Sequence, residues 1–187
     1  KVLPLNPTLS FAKKCGMELH FIDRTTYRNK HQIEFQNQLK SQFGEFYLIP
    51  EGGTNCLALK GCSEIISEVQ NQNLNPDYYC VACGTGGTIS GIISGLNHDK
   101  KVIGFSALKG DFLKKEVHDL LKNCEKKTYS NWEIMNDYHF GGYAKWKPEL
   151  IDFINDFYSK TGIPLDPIYT GKMLFGIYNL IRQEFYR

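Results

Sequence analysis

A chain of 187 residues with 22 basic and 20 acidic side chains carries a formal charge of +2, too even a balance for an electrostatic footprint on nucleic acid or an acidic membrane surface. The length suffices for one sizeable core or two small domains, and no apolar run approaches the roughly 18 residues of a membrane span. The chain opens on Lys1, no signal peptide is recognisable, and the six cysteines lie mostly in apolar-patterned segments without a disulfide-framework spacing. Reduced thiols in the cytoplasm are therefore expected.

In chain order, Asn6-Pro7 predicts the start of a short helix that Gly16 ends, combining an N-cap, a first-turn proline and a terminal glycine. "MELHFI" (17–22) reads as a strand, residues 25–43 as one long polar helix, and "FYLIP" (46–50) as strand-like. After "EGGTN" a helix is expected over 56–69, then a strand at "YYCVA" (78–82) and a helix over 87–96. "KVIGFSAL" (101–108) reads as a strand, 111–123 as an amphipathic helix, and "NWEIM" (131–135) as a last strand. Residues 148–160 and 172–186 close the chain as two helices. Strands and helices taking turns predict an α/β fold, an open twisted mostly parallel sheet with helices on both faces. A seam near Leu48 would divide a small part, 1–47, from a larger one, 48–187.

The stretch "CGTGGT" (83–88) follows a strand and opens a helix. Such a turn aims several backbone N–H groups one way and adds the positive end of the helix dipole. Glycines let an anion approach the main chain, and the hydroxyls of Thr85 and Thr88 add donors. One compact phosphate is the expected guest, because neither GK[ST] nor GxGxxG is present. The plainer alternative is a tight turn with glycines for packing only. Cys80 and Cys83 form a CxxC, but Cys80 lies inside a strand-like run and no second pair or histidine stands at ligand spacing. Buried structural cysteines, and no metal, are expected. In "GIPLDPIYTGKMLFGI" (162–177), Asp166-Pro167 stops the helix from running back. Tyr169 and Thr170 then sit just before a helix start, where side chains can face a cleft.

Taken together, "IPEGGTN", "CGTGGT", "GGYAK" and "LDPIYTGKM", in this order, resemble the D-cysteine desulfhydrase and 1-aminocyclopropane-1-carboxylate deaminase family, and "NPTLSFAKKCGMELHFI" fits the segment before them. The resemblance covers nearly the whole chain. It implies the tryptophan-synthase-β-like fold (fold type II) and pyridoxal 5′-phosphate as cofactor. It places Gly84, Thr85, Gly86, Gly87 and Thr88 around the cofactor phosphate, Tyr169 beside the ring, and Tyr143 as a second active-site tyrosine. Thr170 matches the position near the pyridine nitrogen, where deaminases of the family tend to carry Glu and desulfhydrase-like members Thr. A hydroxyl stabilises a protonated ring nitrogen less well than a carboxylate, which favours β-elimination from a thiol amino acid.

The same resemblance implies a lyase or hydrolase acting on a small amino acid, giving a 2-oxo acid and ammonia, and a homodimer that binds neither nucleic acid nor membrane. The family's Schiff-base lysine belongs to an upstream "GGNK"-like motif, followed by a Ser-Asn-His motif, and neither is here. "RNKH" (28–31) continues a polar helix without glycine, and "LNHDK" (96–100) reads as a surface turn. A closing "HTGG"-type strand is also missing, so a fold incomplete at both ends is expected. Other readings remain open: a different fold-type-II enzyme such as cysteine synthase or threonine dehydratase, a non-catalytic binder of the cofactor or a phosphometabolite, or a nucleotide-binding α/β domain.

Overall fold

In the computed structural model, which describes residues 4–186, the first helix begins where its cap was expected. The Leu9 N–H donates to Asn6 Oδ1 at 2.9 Å, Pro7 occupies the first turn, and helix α1 runs Pro7–Lys14. The chain divides into two compact units, Lys1–Leu48 and Ile49–Arg187.

In the first unit the expected helix over 25–43 is two helices, α2 (Arg24–Arg28) and α3 (Ile33–Phe43). Asp23 starts α2 by accepting the N–H groups of Thr25 and Thr26, and a turn closed by Gln32 N–H on the Asn29 carbonyl separates it from α3. Neither helix buries a residue; the Asp23 cap starts α2, and Gly44, with φ of 77°, ends α3. "MELHFI" and "FYLIP" form neither strand nor helix among the described residues. An apolar, β-prone segment becomes a strand only where a neighbour completes its ladder.

The second unit supplies that ladder. Strands β1 (Tyr78–Cys83), β2 (Lys101–Ser106) and β3 (Trp132–Met135) pair in parallel in the order β1-β2-β3. Tyr78 lies opposite Lys101, and Val102 opposite Trp132. Helices α4 (Cys56–Asn71), α5 (Gly87–Leu96) and α6 (Phe112–Glu125) cover one face, with Leu59, Ile66, Ile89, Ile93, Val102, Val117 and Leu121 in one core cluster. Helix α8 (Thr170–Arg182) covers the other, where Leu180, Met173 and Ile177 pack on Ile103 and Phe105. It pairs with α7 (Pro148–Thr161). Adjacent residues of β2 thus feed opposite cores, as the pleat requires. Cys80 and Cys83, three apart in a strand, likewise belong to opposite faces and do not form a pair. Burial pushes the Cys83 thiol up to about 12, far from the thiolate that metal or redox chemistry needs.

The expectation of six reduced thiols is corrected: Cys56 and Cys124 are disulfide-bonded, with their Cα atoms 5.3 Å apart. Sixty-eight residues separate them, and only the stacking of α4 and α6 beside α5 brings them together. The cysteine-based argument for a reducing compartment therefore lapses. Among the described residues no helix is long and apolar enough to cross a membrane.

The closest helix packing is α4 against α5. A Cβ on Gly91 would lie 2.4 Å from Cys62 Cβ and 2.6 Å from the Leu59 carbonyl oxygen, and one on Gly95 would meet the Ser63 carbonyl at 2.7 Å. Backbone atoms cannot step aside as a flexible side chain can. Gly91→Ala is expected to destabilise the protein by about 2–3 kcal/mol, measured as a lower denaturant midpoint.

Candidate functional site

Strand β1 ends at Cys83, and the next residues turn back into α5 through Gly86, whose φ of 86° is left-handed. Only glycine takes that conformation without strain. The first-turn amides of α5 have no acceptor within the helix, and no side chain caps them. They open onto a cavity of about 630 Å³ at the carboxyl ends of the strands, lined by residues 82–89 together with Glu51, Gly52, Leu108, Tyr143 and Tyr169. That edge is where parallel α/β sheets bind ligands.

Two glycine turns interlock here. Thr54 and Thr85 share a hydroxyl–hydroxyl hydrogen bond of 2.5 Å. A Cβ on Gly52 would lie 2.6 Å from Thr85 Oγ1, and one on Gly87 2.9 Å from Thr54 Oγ1. Each turn leaves out a side chain where the other inserts a threonine. Gly52 and Thr54 lie in the "IPEGGTN" stretch of the sequence, a second glycine turn whose "GGT" (52–54) repeats that of 86–88.

Tyr169 stands over the cradle: a Cβ on Gly84 would reach its hydroxyl at 3.2 Å. Its ring meets Tyr143 edge-on, with centroids 6.1 Å apart. Burial, then Tyr143 and the charge of Asp166, raise the Tyr169 phenol above its usual range, so it is a proton donor at neutral pH. Asp166 fixes the approach to α8. Its carboxylate accepts the N–H groups of Ile168 (2.8 Å), Tyr169 (2.7 Å) and Thr170 (2.9 Å) and the Thr170 hydroxyl. The structure brings Gly84, Thr85, Gly86, Gly87, Thr88, Tyr143 and Tyr169 to one cavity. Thr170 is not in its lining; its hydroxyl is committed to Asp166.

The cradle suits the phosphate end of pyridoxal phosphate: a bare left-handed glycine, helix-start amides and two exposed threonine hydroxyls converge on it. No lysine is among the lining residues, so the cofactor's carbonyl end finds no amine partner in this set. Among the described residues no cluster could hold a metal ion.

A model of the family described as pyridoxal-phosphate dependent enzyme matches residues 6–186. The chain belongs to this family. It is 34% identical over 185 residues to the bifunctional D-cysteine desulfhydrase/1-aminocyclopropane-1-carboxylate deaminase, mitochondrial, of Arabidopsis thaliana, covering 90% of this chain and 46% of that one. It is 30% identical over 162 residues to a Pyrococcus horikoshii protein provisionally named a 1-aminocyclopropane-1-carboxylate deaminase, covering 82% and 50%. A crystal structure described as an ACC deaminase homologue superposes with a TM-score of 0.79 at 28% identity, over 94% of this chain and 57% of that one. The fold is thus the expected fold type II, with pyridoxal phosphate as the family's cofactor. The chain spans about half the length of the curated relatives it matches. Their names speak of deaminase and desulfhydrase, and the hydrolase expectation is withdrawn.

Asp166 offers a pH test. Its hydrogen bonds, opposed by burial, hold the carboxyl at about 2 against an ordinary 3.8. A depressed folded-state value stabilises the protein above pH 3.8 and stops doing so as pH falls towards 2. Asp166→Asn should therefore be less stable than the parent at neutral pH. The gap between the two denaturation midpoints should close as pH falls from about 4 to about 2; a gap that is constant with pH would contradict this assignment.

Proposed function

We propose that this chain is the cofactor-phosphate half of a pyridoxal-phosphate dependent lyase of the D-cysteine desulfhydrase and 1-aminocyclopropane-1-carboxylate deaminase type. The complete protein would convert a small amino acid to a 2-oxo acid and ammonia, with sulfide as a further product from D-cysteine. The observation that carries this is the cradle itself, with Gly86 left-handed and Tyr169 over Gly84, in a chain whose named relatives are such enzymes.

In this reading the Ile49–Arg187 unit holds the cofactor and the Lys1–Leu48 unit is the remainder of a smaller domain. The amides of Gly84 to Thr88 bind a dianion by direct donation, which oriented dipoles in a partly closed site do better than water. Thr85 and Thr88 add hydroxyl donors. When bound, pyridoxal phosphate supplies the electron sink for negative charge at the substrate α-carbon. Tyr169, raised and protonated, can hand a proton from its hydroxyl to a group above Gly84. Tyr143, edge-on to it, orients the substrate. These two are the proposed catalytic residues of this chain. A thiol amino acid is the proposed substrate on the resemblance alone, which matches Thr170 to the position where deaminases of the family tend to carry Glu; the Thr170 hydroxyl itself is turned to Asp166, outside the cavity lining. A homodimer belongs to the same proposal, and light scattering checks it.

Binding is testable on the chain itself. Pyridoxal phosphate should bind at least about 100-fold more tightly than pyridoxal, the worth of two or more charge-assisted hydrogen bonds. Replacing both Thr85 and Thr88 by Val should weaken the phosphate form by about tenfold or more and leave pyridoxal unchanged. Equal affinity for the two would defeat the phosphate assignment. For the whole protein, 2-oxo acid release from D-cysteine and from 1-aminocyclopropane-1-carboxylate is the decisive assay. Turnover supports the lyase, whereas tight binding with no turnover of either would make the protein a carrier.

A further inference from the structure

Lys172 sits in the first turn of α8, yet only 1% of it is exposed. A buried ammonium is costly unless every proton finds an acceptor. Here the partners are main-chain carbonyls: Lys172 Nζ donates to Gly142 O at 2.9 Å and lies 3.5 Å from Ala107 O. These carbonyls belong to two loops, one leaving β2 and one preceding α7. Gly142 is the residue immediately before Tyr143.

Upstream of Tyr143 the loop is held by the Gly141 N–H on His139 Nδ1, the Gly142 N–H on the His139 carbonyl and Phe140 edge-on to Phe175 of α8, whereas Lys172 is the side chain that reaches the Gly142 carbonyl. Tyr143 itself is 55% exposed. Its neighbours take left-handed backbone, with φ of 103° at Gly141, 117° at Gly142 and 53° at Ala144. Such a run persists only where its surroundings over-determine it. The Gly142 carbonyl is the crossing point, accepting the Lys145 N–H at 3.1 Å as well as Lys172 Nζ. Meanwhile the N–H of Tyr169, the residue just before α8, is fixed by Asp166 in the approach to that helix. The "DPIYTGK" segment thus ties both cavity tyrosines to one helix start, one through a carboxylate and the other through an ammonium.

We propose that Lys172 is a positioning residue: its ammonium, seated on the Gly142 carbonyl, sets where Tyr143 stands relative to Tyr169 across the cavity. This rests on the proposed function for its consequence in catalysis, but not for its geometry. Lys172 does not line the cavity and touches no ligand there; it acts through the loop.

Hydrogen exchange on this chain tests the geometry without cofactor or turnover. In Lys172→Met the amides of Gly142 and Lys145 should exchange at least about tenfold faster, while those of β1 and β2 stay within about twofold. Lys172→Arg, which keeps charge and donors, should fall nearer the parent. Unchanged loop exchange, or a rise spread evenly over the unit, would overturn the proposal. Should the Met variant not fold, through-hydrogen-bond coupling between Lys172 Nζ and the Gly142 carbonyl carbon in the unaltered chain decides: its presence supports the clamp and its absence overturns it. In the complete enzyme, Lys172→Met should lower kcat by about tenfold or more with KM and cofactor affinity within about threefold, since a misplaced group costs rate more than binding. If the unaltered protein binds no pyridoxal phosphate, the proposed function fails while the exchange result stands on its own.

Discussion

The seam between α4 and α5 governs both the core and the site. Glycines at 87, 91 and 95 fall on one face of α5, and each is met by α4 or the residues leading into it: Thr54 at Gly87, Cys62 and Leu59 at Gly91, Ser63 and Ile66 at Gly95. Residues four apart on a helix share a face, so the two backbones approach over the whole length of α5. That closeness locates the start of α5, and the start of α5 is the anion cradle. The bare turn and the buried helix are consequences of one packing decision. A side chain at Gly91 would act on the cradle from a distance by displacing the helix that carries it.

A second consequence concerns charge. Asp166 and Lys172 flank the same helix start, and both turn their charge onto the main chain, the carboxylate onto amides and the ammonium onto carbonyls. What faces the cavity from α8's start is therefore the Tyr169 phenol, while β1 and α5 present amides and hydroxyls. Dipoles held by a rigid frame attract an anion without a counter-ion of their own and without rearranging when it arrives. That suits a cofactor whose phosphate is only an anchor and whose chemistry happens at the other end of the molecule.

How much of this was legible in the sequence varied with the range of the interaction. The three strands of the sheet and the helices around them were legible because each joins an apolar run to a strong local signal, such as the glycines after Cys83 or the Pro148 start of α7. "MELHFI" and "FYLIP" carry the same β-type pattern without a partner strand among the described residues, and pattern alone cannot show whether one exists. The break between α2 and α3 is a turn over residues 29–32, closed by the Gln32 N–H on the Asn29 carbonyl, and no glycine or proline marks it in the polar stretch. The Cys56–Cys124 bond was not legible, since spacing holds no information about which helices stack. Asp166 was read only as a helix stop, and Lys172 only as part of a motif. Their partners lie on the backbone, at sites that no sequence pattern marks, and for Lys172 those sites are 30 and 65 residues away.

Every residue lining the cavity falls within Ile49–Arg187. The turn over residues 84–88, the tyrosine pair and their two supports therefore form from one contiguous unit with its own core. Covalent capture of the cofactor is a separate requirement, because no lining residue offers an amine. Phosphate recognition depends on backbone geometry, which packing fixes. Amine capture depends on one side chain, which any segment reaching the cavity mouth can supply. On the proposed function, holding the cofactor and using it are therefore separate requirements, and the two can be measured independently.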